Sequence, residues 1–410
     1  MQRGARAVIA WHADSRAARR KRRLRNAKAA IGAEPEGLPD VNHLLHHLRG
    51  EALRSLPDHP DHVVSVGCSG AWYFEWVTQM LGPIGLHTGV EFYTPPPAQL
   101  PPNVRWVANT AGHMPEIGDG VADILFSGQN IEHLWQSDVL GFLLEGHRIL
   151  RDGGLLVIDS PNRRIAARLG WSQPEHTVEL NPEEMEVLLT LAGFTVERVI
   201  GLWLCEDPLS GALLPFDELS AEGPWPLQRR VEAAYHNPHS SFIWWIEARK
   251  QKVAPQRIRM EERIAEIFRL GWPERLNRLK TMIGIEIAHN NRVWIDSGGR
   301  QGILLFGPYA PLRAGRHVVR LRLMLAHSVL APNARIAYAE VISADGAVLA
   351  THEISLAETL AGEFEVAMEV ALNDTVFGVQ FRVFSFEGAH LAVKKSVTLS
   401  SHLLSLATPA

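Results

Sequence analysis

Apolar and polar positions follow two different rhythms along this chain. Between about Asp61 and Lys250, short apolar or β-branched runs alternate with stretches whose apolar residues recur every three to four positions. That pattern predicts strands alternating with helices in an α/β sheet. The strands expected are Val63 to Gly67, Leu86 to Phe92, Val104 to Val107, Ala122 to Ser127, Leu155 to Ile158, Thr195 to Ile200 and Phe242 to Ala248. A helix opens at Trp72-Tyr73-Phe74-Glu75-Trp76-Val77, directly after a glycine turn. A second, Val139 to Leu150, stops at Arg151-Asp152-Gly153-Gly154, a helix-ending turn. A third opens at Pro182 with Glu183 and Glu184 in its first turn and ends near Gly193.

The second rhythm begins past the middle. Residues 254–281 place Ile, Met and Leu at helical intervals among Arg and Glu, as a connecting helix would. Beyond Gly302, Val318 to Leu323, Arg335 to Ile342, Phe364 to Val370 and Val376 to Phe384 run at strand length, divided by Gly, Asn and Asp turns. Strands without helices between them predict an antiparallel β-sandwich. The expected division is a basic arm at 1–35, an α/β domain at 36–250, a helical connector at 251–290 and the sandwich at 291–410.

Composition narrows the class. The 410 residues are 46% hydrophobic and 21% charged, which suits a globular chain of more than one domain. A net charge of −4 gives no general case for nucleic-acid binding. Two cysteines, Cys68 and Cys205, allow no disulfide framework. No apolar run approaches the roughly 20 residues of a membrane span, and the N-terminus lacks a secretory core, so a cytoplasmic location is expected. Arg16, Arg19, Arg20, Lys21, Arg22, Arg23, Arg25 and Lys28 cluster near the start. Such an arm is either a solvated helix or a peripheral contact with anionic lipid.

Candidate chemistry concentrates in Val63-Val64-Ser65-Val66-Gly67-Cys68-Ser69-Gly70 and in Glu91 at the end of the next apolar run. A strand that stops at glycines and passes into a helix lets backbone approach a nucleotide-like ligand. An acid about 20 residues on can accept hydrogen bonds from ribose hydroxyls. His133 and His176 stand on loops beyond strands, where a neutral-pH base would sit.

Five blocks in order resemble the class I S-adenosylmethionine-dependent methyltransferases. They are the glycine turn, Val90-Glu91, Asn109-Thr110-Ala111-Gly112-His113-Met114-Pro115, Asp123 to Ser127 with Ile131-Glu132-His133-Leu134, and Arg148 to Leu155. The resemblance implies a Rossmann-like sheet, S-adenosylmethionine as cofactor, and Gly67, Ser69, Gly70, Glu91, Ala111, Gly112 and Gln129 around it. It implies His133 or His176 as proton acceptor. Ser65, Ser69, Ala71 and Thr110 depart from the family's usual acid, glycines and Asp. Gln129, Glu132, His133 and His176 also resemble a divalent-ion motif of some methyltransferases acting on RNA termini, but Gln129 replaces an acid, and no metal is expected. Leu304 to Val318 resembles the opening of carbohydrate-binding-like sandwiches attached to bacterial glycan-assembly enzymes, with Trp294, Tyr309, His317 and Tyr338 as candidates for a binding face. The expected function is O-methylation of a sugar hydroxyl in surface-polysaccharide or O-antigen assembly, with a glycan as partner, no nucleic acid, and an oligomer allowed. A non-catalytic glycan-binding scaffold and a methyltransferase for RNA or another acceptor stay open.

Overall fold

The computed structural model describes residues 40–328, 331, 333–359 and 362–403. The basic cluster at 16–28 lies outside them. The described chain forms two units. The first takes residues up to 131, 136–165 and 180–264. The second takes 132–135, 166–179 and 265 onward.

The first unit is a seven-stranded sheet of β1 (His62–Val66), β2 (Leu86–Glu91), β3 (Val104–Ala108), β4 (Ala122–Gly128), β5 (Leu150–Pro161), β6 (Phe194–Gly201) and β7 (Ile243–Lys250). Their order is β3-β2-β1-β4-β5-β7-β6. Strands β1 to β5 are parallel and β7 runs antiparallel to both neighbours. The expected strands are all present. Their apolar runs are continuous because the central strands are covered on both faces. Trp244 and Trp245 are successive residues of β7, so they face opposite sides, and both are fully buried.

One boundary differs from the expected pattern. Arg151 to Gly154 do not form a turn ahead of a strand. They lie inside β5, which begins at Leu150, and its register against β4 shifts between Ala122 and Ile124. Gly153 absorbs the irregularity at φ +72°.

Helix α1 (Val41–Arg54) starts at Asp40, whose Oδ1 accepts from the backbone N of Asn42 and His43 at 2.8 and 3.0 Å. It packs on α2 (Ala71–Leu81). Helices α3 (Gln136–Ile149), α4 (Arg163–Leu169), α5 (Pro182–Leu191) and α6 (Leu227–His236) follow. Pro182 opens α5, and Asn181 N donates to Glu184 Oε2 at 2.9 Å. Helix α7 (Arg257–Leu276) leads into the second unit. Among the described residues no helix is long and apolar enough to cross a membrane.

The second unit holds two five-stranded antiparallel sheets built from β8 (Ile285–His289), β9 (Arg292–Asp296), β10 (Gly302–Leu305), β11 (Pro308–Leu312), β12 (Gly315–Ser328), β13 (Arg335–Ile342), β14 (Val348–Ser355), β15 (Glu363–Leu372), β16 (Val376–Ser385) and β17 (Ala389–Leu403). One sheet runs β10-β16-β13-β14 with β11 also on β16; the other runs β15-β12-β17-β9-β8. In β15, Val366, Met368, Val370 and Leu372 are buried and alternate with exposed residues. They join Val319, Leu321, Leu323, Val341, Phe381, Val383 and Leu391 in one core, the packing of a sandwich.

Candidate cofactor site and a buried histidine pair

In the first unit, the carboxyl ends of β1, β2 and β4 bring the glycine turn, the acid and Gln129 to one edge of the sheet. Gly67 leaves β1 at φ +73°, and its N–H donates to Val90 O at 3.0 Å. A Cβ there would lie 2.7 Å from Asn130 Oδ1, so only glycine lets this turn approach the loop after β4. Gly70 precedes α2, and Ser69 between them is exposed. Cys68 is buried. Burial, reinforced by the charge of Glu91, pushes its thiol up to about 12, so it stays protonated and inert. Gly89 of β2 makes room for it: a Cβ there would meet Cys68 Sγ at 2.5 Å.

Glu91 ends β2 with its Oε1 accepting from Tyr93 N and Thr94 N at 2.9 and 3.1 Å. Among the described residues no hydrogen bond engages Oε2. Phe92 and Tyr93, both exposed, pack edge to face with ring centroids 5.0 Å apart. In the loop after β3, Gly112 N donates to Thr110 Oγ1 at 3.2 Å, and Ala111 is buried. Arg148 of α3 holds this loop by donating to Met114 O and Ile117 O at 2.9 and 2.8 Å. Gly112 touches α3 at Gly141, where a Cβ would come within 2.9 Å of Gly112 Cα.

Gln129 sits at φ +53° after β4. Its side-chain N donates to Asp159 Oδ2 at 2.8 Å and its backbone N to Asp159 O at 3.0 Å. The fully buried Asp159 also receives Arg49 Nε at 2.6 Å, and Arg49 lies over the Trp76 ring at 5.3 Å. Neither Arg49 nor Asp159 carries a sequence signal, since the pair joins positions 110 apart with no motif between them. Ser65, where the family usually has an acid, shares a 2.8 Å hydrogen bond with His87 Nε2. Both are fully buried, and burial drives the His87 pKa down to about 3.

The histidine pair belongs to the second unit. His133 and His176 meet edge to face with centroids 4.7 Å apart. His176 Nδ1 donates to Glu179 Oε1 at 3.1 Å, and its Nε2 lies 4.0 Å from Glu132 Oε1. Arg278 holds Glu179 with contacts of 3.2 and 2.9 Å to its two oxygens. Burial alone would raise the Glu179 pKa. The His176 hydrogen bond and the charges of Arg278 and Arg275 instead hold it well below the usual carboxylate range. Burial, with the neighbouring His176 adding to it, pushes His133 down to about 3; burial also lowers His176. Both rings are therefore neutral and weakly basic.

Comparison with known proteins places this geometry. A family profile described as a methyltransferase domain matches residues 64–158. A probable S-adenosylmethionine-dependent methyltransferase of Mycolicibacterium smegmatis is 41% identical over 88 residues, 21% of this chain and 33% of the relative. A protein of the same description from Mycobacterium tuberculosis is 37% identical over 105 residues, 25% of this chain and 37% of the relative. The first unit's Rossmann-like sheet is of the methyltransferase kind, and within it residues 64–158 are similar to S-adenosylmethionine-dependent methyltransferases. This chain spans about a third of the length of the curated relatives it matches. A solved S-adenosylmethionine-dependent methyltransferase from Archaeoglobus fulgidus covers 50% of this chain and 94% of its own, at 18% identity and a TM-score of 0.35.

The methyltransferase domain fits its cofactor by its own residues. Gly67, Glu91 and Gln129 share the carboxyl edge of the sheet, and there the buried Ser127 Oγ and Asn130 Nδ2 have no hydrogen-bond partner among the described residues. Buried polar atoms left so are open to a partner such as water or a polar ligand. Ala111 and Gly112 are fixed against α3. His133 and His176 come together, but within the second unit. Of the residues named for a binding face on the sandwich, two are buried. Trp294 is 1% exposed, and His317 is held between Ser401 Oγ and Arg313 O at 2.8 Å each. His317 keeps step with the buried Val319, Leu321 and Leu323 of β12, so its place in the strand's alternation, not its residue type, sets the face it takes. Tyr338 is half-buried and stacks on Phe384 at 5.1 Å.

Proposed function

We propose that this chain is an S-adenosylmethionine-dependent O-methyltransferase whose acceptor is a sugar hydroxyl on a bacterial surface glycan. It would work in the cytoplasm, with its basic N-terminal arm near the inner membrane. The observation that carries the reading is the joint placement of Gly67, Glu91 and Gln129 at one sheet edge, beside Ser127 Oγ and Asn130 Nδ2, which have no hydrogen-bond partner among the described residues. When bound, S-adenosylmethionine supplies an electrophilic methyl group on a sulfonium centre. In this proposal the chain positions the cofactor. Glu91 Oε2 accepts from the ribose hydroxyls, while the turn after β1 lets backbone come close to the ligand. Residues 109–114, held by Arg148, would border the adenine.

The choice of a sugar acceptor is supported by the likeness of residues 304–318 to glycan-binding sandwiches and by the Tyr338–Phe384 aromatic pair on β13 and β16. No proton step is routed through His133 or His176, because burial makes both weak bases. The test is transfer of radiolabelled methyl from S-adenosylmethionine to lipid-linked glycans, RNA and small hydroxylated acceptors in parallel. Label on glycan alone supports the reading. Label on RNA, or no transfer by a chain that binds the cofactor, sets it aside for the RNA-methylating or scaffold alternative.

A further inference from the structure

We propose that Glu132, His133 and His176 form a binding site for a divalent transition-metal ion of the zinc class. The site lies wholly within the second unit and stands independently of the methyl-transfer reading. One donor atom from each residue lies within 4.8 Å of the others. His176 Nε2 and Glu132 Oε1 are 4.0 Å apart, too far for a hydrogen bond. Bonds of about 2.0–2.2 Å around an ion bring neighbouring donors to roughly 3–3.5 Å, so small side-chain rotations close the set.

Three features prepare these residues for a metal. Glu132 and His133 are consecutive in the short 3-10 turn Ile131–His133, while His176 comes from a second loop. Thr177 staples the loops together: its N–H donates to Glu132 O at 2.8 Å, and its hydroxyl to Glu132 O and Leu134 O at 3.0 and 2.6 Å. Donation from His176 Nδ1 to Glu179 leaves the lone pair on Nε2, directed toward Glu132. Glu179 is itself fixed by Arg278, so a carboxylate behind the imidazole orients it, as is usual for metal-bound histidine.

The donor set also selects the ion. Two imidazoles and one carboxylate suit zinc and its neighbours, whereas calcium and magnesium prefer shells of oxygen. Among the described residues the cluster offers three protein donors. A coordination position is therefore left for water or a ligand hydroxyl.

The test uses the full chain without an affinity tag, stripped by chelator, then titrated with Zn2+ and Co2+. Wild-type chain is expected to bind one equivalent of Zn2+ at roughly micromolar or tighter affinity, and Co2+ to give visible absorption bands of a low-coordinate site. His176→Asn and Glu132→Gln should each weaken binding at least ~100-fold, and Glu179→Gln about 10- to 100-fold. A double variant His43→Asn/His47→Asn controls for a competing i, i+4 pair on α1 and should leave binding unchanged. Circular dichroism confirms that each variant is folded. A folded wild-type chain that takes up no stoichiometric Zn2+ overturns the proposal, as does uptake that His176→Asn leaves intact or that the α1 double variant abolishes.

Discussion

Glu91 gives one carboxylate oxygen to the chain and, in the proposed reading, the other to a ligand. Its Oε1 already caps the loop at Tyr93 and Thr94, so Glu91→Ala removes a loop anchor together with the proposed ribose contact. Hydrogen bonds to a charged group contribute about 1.5–3 kcal/mol each. S-adenosylmethionine affinity should thus fall at least ~100-fold in Glu91→Ala and about tenfold in Glu91→Gln, which keeps an acceptor for the loop. Isothermal calorimetry reads both. At His87 the consequence concerns acid stability. The folded pKa of about 3 lies below the ordinary 6.5, so the folded chain refuses a proton that the unfolded chain accepts. This contribution is complete above pH 6.5 and is lost as pH falls from 6.5 toward 3, on the order of 5 kcal/mol in all. His87→Gln, which can still bond Ser65, should flatten that part of the pH–stability curve measured by urea denaturation. An unchanged slope would count against the buried neutral imidazole.

At the scale of elements, close approach decides two outcomes. Gly141→Ala would improve helix propensity by about 1 kcal/mol, yet its methyl would lie within 2.9 Å of Gly112 Cα. Overpacking against backbone costs about 1–3 kcal/mol, so the variant should be less stable and should bind cofactor more weakly as the 109–114 loop shifts. Asp159→Asn leaves Arg49 without its carboxylate, and loss of one partner from such a buried pair costs about 3–5 kcal/mol, read as a lower urea midpoint. These elements differ in how far the sequence revealed them. The parallel strands were legible because burial on both faces leaves unbroken apolar runs, and Gly67 because only glycine suits its turn. The start of β5 was not, since a bulge turns Arg151 to Gly154 into strand without changing their composition. The Arg49–Asp159 pair was silent too: it depends on three-dimensional proximity between ordinary surface-type residues. Trp294 and His317 were read as surface candidates by residue type, whereas register places them in the interior.

Across the whole molecule, a methyltransferase sheet and an antiparallel sandwich share one chain, and residues 132–135 and 166–179 cluster with the sandwich. The glycine-turn reading is therefore a claim about the first unit, and the metal reading a claim about the second. They separate experimentally, because chelator should leave cofactor affinity unchanged while Glu91→Ala should leave metal uptake unchanged. A ligand at 100 times its dissociation constant stabilises the state that binds it by about 2.7 kcal/mol, so saturating S-adenosylmethionine should raise the melting temperature of the wild-type chain. Before any acceptor is screened, calorimetric titration of the purified chain with S-adenosylmethionine, alongside Glu91→Ala, should give saturable one-to-one binding that the variant loses. A folded wild-type chain that releases no heat at millimolar cofactor, or a Glu91→Ala chain that binds equally well, would remove the cofactor from this site and the proposed methyl transfer with it.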